Sequence, residues 1–241
     1  MEYEDFFDND DLYDCNEVFY NINAINFNDT LQEELNHEQT LISKKDTKNI
    51  FSVERNYINS YAYHEKFENL AVSKALQESL YIQCGRLLEY VDSLPEENMG
   101  EERMLAINFR TGEFLVDNFE REGSINSTRF NEKEMQKINE CKDSLALIHN
   151  HSKSDRPSAQ DLLSYLHSSQ VKISVIACHN GDIYAIYKVS PSFEIKYNEL
   201  LQREKEKTSE IELAKRRATT QIYELNNNLS QRHKYFIVEK L

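Results

Sequence analysis

At 241 residues, with 39% hydrophobic and 29% charged residues, the chain is long enough for one well-buried core plus appendages, and a mean hydropathy of −0.71 leaves part of its length outside any packed interior. A formal net charge of −14 would repel a phosphate backbone unless a local basic patch overcame it, so nucleic acid is an unfavoured partner. No stretch approaches the roughly 18 apolar residues of a membrane span, the acidic opening MEYEDFFDNDDLYDC lacks the basic and apolar regions of a secretory signal, and Cys15, Cys84, Cys141 and Cys178 form no C-x-x-C pair, which together predict a cytoplasmic protein without disulfides or a thiolate zinc site.

In chain order, residues 1–59 read as an acidic arm with interspersed aromatics (Phe6, Phe7, Tyr13, Phe19, Tyr20) and a short helix around residues 30–37. Residues 60–95 form a helical segment, because Leu70, Val72, Leu76, Leu80, Leu87 and Val91 recur at helical intervals before Pro95. The core is expected over residues 96–191. It opens with a polar connector (EENMG) and a hairpin whose strands, MLAINF (104–109) and EFLV (113–116), flank a turn with Gly112 at the position that needs positive φ. Asn131 and Glu134 have capping-box spacing and start a helix running to about Cys141. SLALI (144–148) is a short buried strand that feeds directly into the polar stretch 149–157. Ser158 and Asp161 then open another helix, with Leu162, Leu163 and Leu166 on its apolar face. A second hairpin joins residues 172–178 to 183–188 through His179-Asn180-Gly181-Asp182, an Asn-Gly turn. Residues 192–241 read as a charged helical tail carrying Leu200, Leu201, Ile211, Ala218, Ile222, Leu225 and Leu229. The spacing leaves open whether it docks on the core, pairs with a partner helix or self-associates.

The chemistry concentrates in residues 145–166, LALIHNHSKSDRPSAQDLLSYL. His149 and His151, one residue apart at a strand end, leave the same face, and Asp161 follows in the first turn of the next helix. Two imidazoles and a carboxylate suit zinc with a fourth position left for water. Singly, each residue is ordinary: neighbouring loop histidines are common, and a first-turn Asp answers the helix dipole. His167 and His179 are read as structural or exposed, and His37, His64 and His233 receive no role. Asp155 and Arg156 lie in the loop beside the site, where an ion pair or solvation is favoured over substrate contact.

The phrase HNHSKSDRPSAQD (149–161) resembles the motif of the JAMM/MPN metalloproteases, an upstream Glu, then H-x-H, a short loop and S-x-x-D, in the version of bacterial RadC-like and phage-associated members. The resemblance extends over residues 63–188, including YHEKFENLAVSKALQESLYIQCGRLLEY and ISVIACHNGDIYAIY. It implies an α/β (α+β), cytidine deaminase-like fold, a mixed β-sheet flanked by helices. It further implies zinc on His149, His151 and Asp161, and a glutamate at the start of the first hairpin strand as general base. Glu102 fits that pattern best, with Glu101 competing. Ser158 would stabilise an oxyanion through its hydroxyl or backbone N–H. The implied activity is hydrolysis of an amide bond in a protein or peptide, or of an isopeptide bond to a ubiquitin-like modifier. The alternatives are a non-catalytic MPN-like scaffold and a RadC-like DNA-linked protein of a mobile element or phage. The loop at residues 152–157 departs from the commonest pattern: it is one residue shorter, has Ser152 where many bacterial members have proline, and lacks glycine.

Overall fold

Several of the helices begin where a serine side chain replaces a missing backbone partner. In the computed structural model, which describes residues 52–121, 123–124, 127–153 and 155–241, a single turn α1 (Arg55–Ile58) is followed by α2 (Tyr61–Glu68) and α3 (Lys74–Asp92). Ser60 accepts from Tyr63 N at the head of α2, and Ser73 accepts from Leu76 N at the head of α3. Along α3, Leu76, Leu80, Cys84, Leu87, Leu88 and Val91 are fully buried, the stripe that a 3.6-residue period requires.

Six strands form one sheet: β1 (Met104–Asn108), β2 (Phe114–Asp117), β3 (Leu145–His151), β4 (Val171–Cys178), β5 (Ile183–Val189) and β6 (Phe236–Lys240), in the order β2-β1-β3-β4-β5-β6. Only the central pair, β3 with β4, is parallel; the crossover between them is α5 (Ala159–Leu166). Every other neighbour pair is antiparallel. Helix α4 (Glu132–Glu140) precedes β3, and α6 (Pro191–Lys205) and α7 (Ile211–Asn227) separate β5 from β6. The described residues therefore carry seven α-helices and a mixed six-stranded sheet.

Both sheet faces are covered, and side-chain alternation assigns each residue to one of them. On β4, Ile173, Val175 and Ala177 join the cluster under α1–α3, whereas Ile176 and Cys178 join the cluster formed by α5, α6 and α7. Helix α4 closes a third cluster over Ala106, Val116, Leu145 and Val171. The two turn glycines fall where positive φ was expected, Gly112 at 74° and Gly181 at 83°. The capping box at Asn131 and Glu134 is also present.

Two segment boundaries differ from the sequence reading. The ordered body starts before residue 60: Val53 and Ile58 are buried, and Glu54 N donates to His179 O over 2.9 Å. The remainder of the acidic arm, including the helix expected around residues 30–37, lies outside the described residues. The tail is not wholly helical. Its helices α6 and α7 pack on the sheet, and the chain then returns as β6 along the edge of β5, with Phe236 opposite Val189 and Lys240 opposite Tyr184. A five-residue strand ending in Glu-Lys has too little alternation to announce itself; the unpaired edge of β5 decides it. None of the described helices is long and apolar enough to cross a membrane.

A β-carbon at Gly112 would sit 2.9 Å from Ala75 O and 3.0 Å from Ser79 Cβ, on a backbone that L-residues avoid. Gly112→Ala should therefore lower stability by more than about 1 kcal/mol, read as a fall in the urea unfolding midpoint.

Candidate metal centre

Strand β3 is paired on both sides, which holds its last residues rigidly. His149 lies opposite Met104 of β1, and Asn150 N donates to Arg103 O over 3.2 Å. Carried one step further, this antiparallel register sets Glu102 across from His151, on the face that carries both imidazoles. Asp161 reaches the same place from the first turn of α5, whose capping box Ser158 and Asp161 form together.

The three side chains converge. His149 Nε2 and His151 Nε2 lie 3.2 Å apart. Asp161 Oδ1 is 3.3 Å from His149 Nε2, and Asp161 Oδ2 is 3.6 Å from His151 Nε2. Among the described residues, His149, His151 and Asp161 form a group able to hold a metal ion. The spacing fits that use: ligand bonds of about 2.0–2.1 Å in a tetrahedral arrangement leave donor atoms roughly 3.4 Å apart. Both imidazoles are buried, at 7% and 9% exposure, as a site shielded from competing water requires.

Two of the three, His151 and Asp161, are oriented by a further bond. His151 Nδ1 is 3.1 Å from Asp155 O, and since a carbonyl only accepts, the proton belongs on Nδ1 and the Nε2 lone pair faces the cluster. Ser158 N donates to Asp161 Oδ2 over 2.6 Å, while Ser158 Oγ accepts from Asp161 N over 3.2 Å. The backbone N–H of Ser158 is thus committed to the ligand. Its hydroxyl hydrogen is the part that could still serve a substrate oxygen.

Electrostatics binds the group together. Burial pushes His149 down, but the adjacent Asp161, with help from Glu102, outweighs it and leaves the imidazole above its usual value. Burial, and then the charge of His149, hold His151 below the usual value. Burial would raise Asp161, yet His149, His151 and the Ser158 contact keep it well below the carboxylate range. Burial pushes Glu102 up to about 8, against the pull of His149 and with a further push from Asp161.

The two candidate glutamates are separated by the faces they occupy. Glu101 is occupied elsewhere: its Oε2 takes the Arg103 guanidinium and the Gly123 N–H, and its Oε1 accepts from Asn98 Nδ2. Glu102 is the one coupled to His149 and Asp161. His167 pairs with Glu194 over 3.1 Å in a half-exposed surface contact. His179 is buried at 1% exposure behind the site. Arg156 forms no ion pair among the described residues and instead lies over the Tyr223 ring, 3.8 Å from its centroid.

The residue missed in the sequence is Asn150. It is fully buried on the opposite face from the histidines, accepts from Arg103 N over 2.7 Å, donates to Glu101 O over 3.1 Å and lies 3.0 Å from His179 Nε2. Its signal was available: the middle residue of H-x-H on a central strand must point into the core, and a polar side chain there demands partners. Asn150→Ala would leave the Arg103 N–H and the Glu101 carbonyl without this partner and should cost about 1–3 kcal/mol, measurable by denaturant unfolding.

Set against models of known protein families, curated proteins and solved structures, the chain matches none of them.

Proposed function

We propose that the chain is a zinc-dependent hydrolase of the JAMM/MPN type that cleaves an amide bond in a protein or peptide, isopeptides to ubiquitin-like modifiers included. The observation that carries this reading is the 3.2–3.6 Å triangle of His149, His151 and Asp161, with Glu102 brought onto the same face by the β1–β3 register.

His149 and His151, through Nε2, and the Asp161 carboxylate would hold the ion. When bound, zinc supplies Lewis acidity, which lowers the pKa of water from about 15.7 towards about 7. The protein's own part is proton handling and orientation. Glu102, half-buried on the face of the imidazoles, is placed to accept a proton on a carboxylate oxygen and to return it to the departing amine. The Ser158 hydroxyl is placed to donate to the carbonyl oxygen of the scissile bond as negative charge builds there. Asp155 contributes through its backbone, fixing the His151 tautomer.

Purified wild-type protein should contain close to one zinc per chain by elemental mass spectrometry, and His149→Ala combined with His151→Ala should abolish it. Glu102→Gln should keep the zinc and lose at least about 10²-fold in cleavage of a peptide and lysine-isopeptide library, the scale of general-base catalysis. Wild-type protein that takes up no zinc, or Glu102→Gln cleaving at the wild-type rate, contradicts the proposal. Ser158→Ala should lower both turnover, by about 10²–10³ for a lost oxyanion donor, and zinc affinity, because Asp161 N loses its acceptor.

A further inference from the structure

Between the ligands His151 and Asp161 the chain runs through SKSDRPS, a loop without glycine. Among the described residues, the N–H groups of Ser152, Lys153, Asp155 and Arg156 make no backbone–backbone hydrogen bond, and Pro157 has no N–H to give. Both ends of the loop carry candidate ligands whose separation matters to tenths of an ångström. A contact from outside the loop helps to fix its course.

That contact comes from α7. Tyr223, buried at 6% exposure in the cluster of α5, α6 and α7, donates its hydroxyl to Pro157 O over 2.8 Å. The face of the same ring carries the Arg156 guanidinium at 3.8 Å. Four consecutive residues are thereby pinned: Asp155 O to His151 Nδ1, Arg156 to the Tyr223 ring, Pro157 O to the Tyr223 hydroxyl and Ser158 to Asp161. Two of those points touch metal-ligand candidates, and the two between them belong to a single tyrosine. Phe236 of β6 packs against that tyrosine edge-on, ring centroids 4.7 Å apart.

We propose that Tyr223 is a positioning residue of the metal centre, through which the C-terminal helices hold the loop 155–158 and so set where Asp161 stands relative to the two histidines. The inference rests on the metal-site reading for its effect on zinc, and on the hydrogen bond and ring contact alone for its effect on the loop. Tyr223 touches no reacting atom in this account. Its contribution is the reduced freedom of the loop in the metal-free protein, which makes the ligand set ready before an ion arrives.

Tyr223→Phe removes only the hydroxyl and keeps the ring in the core, and Arg156→Ala removes only the cation. Two readouts on the full-length protein test them: hydrogen exchange without metal at the amides of Ser158 and Asp161, which are the hydrogen-bonded ones, and zinc Kd by competition with a chromophoric chelator. Leu200→Ala, which thins the same core cluster from α6, serves as the control for a merely structural role. Tyr223→Phe should exchange about 10-fold faster at those two amides and bind zinc about 10-fold more weakly, within the range for groups that orient metal ligands. Arg156→Ala should move both in the same direction by less, and Leu200→Ala should lower global stability while leaving both unchanged. Exchange and Kd in Tyr223→Phe equal to wild type, or an equal shift in Leu200→Ala, overturns the proposal. If wild-type protein binds no zinc, the metal-site reading falls and the exchange comparison alone decides whether Tyr223 holds the loop.

Discussion

The β1–β3 register is the constraint on which the site depends. Because strand side chains alternate, a slip of one residue would turn His149 and His151 into the interior and bring Asn150 to the cluster. Asn150 guards against this by bonding across the strand pair to Arg103 N and Glu101 O, bonds available only in the observed register. The same pairing assigns Glu101 to a structural ion pair with Arg103 and Glu102 to the imidazoles. One buried amide therefore couples strand pairing, ligand direction and the choice of carboxylate.

The layers around the sheet divide the remaining work. Helices α1–α3 supply most of the apolar burial on one face, a long stripe with little polar chemistry in it. The opposite face, under α5–α7, carries Asp161, the loop after His151 and the tyrosine that grips that loop. The C-terminal segment is thus integrated twice, through the helices on the sheet face and through β6 on the edge of β5. Burial and mutual charge move the titrations of the cluster in different directions. Asp161 is held well below the carboxylate range and His151 below its usual value, whereas Asp161 outweighs burial to lift His149 above its own and burial raises Glu102.

Features governed by short-range rules were legible in the sequence. Both hairpins follow from glycine's access to positive φ, the helix starts at Asn131 and Ser158 follow from reciprocal capping, and the alternation of H-x-H already placed two imidazoles on one face. Features that depend on distant partners were not. Strand β6 exists because β5 offers an edge, and α1 packs because His179 O and the core receive it. The roles of Asn150 and Tyr223 arise from contacts 47 and 66 residues away in sequence, beyond any local pattern. The family pattern favoured Glu102 over Glu101, and it took the strand pairing to set Glu102 on the face of the histidines. Arg156, for which an ion pair or solvation was the favoured reading, takes an aromatic partner that comes from a helix of the tail.

X-ray absorption spectroscopy at the zinc edge on the loaded protein tests the central claim most directly. The account predicts a shell of nitrogen and oxygen neighbours at about 2.0–2.2 Å, with the outer scattering of two imidazole rings and no sulfur. A sulfur shell near about 2.3 Å, or a spectrum with one imidazole or none, would contradict it.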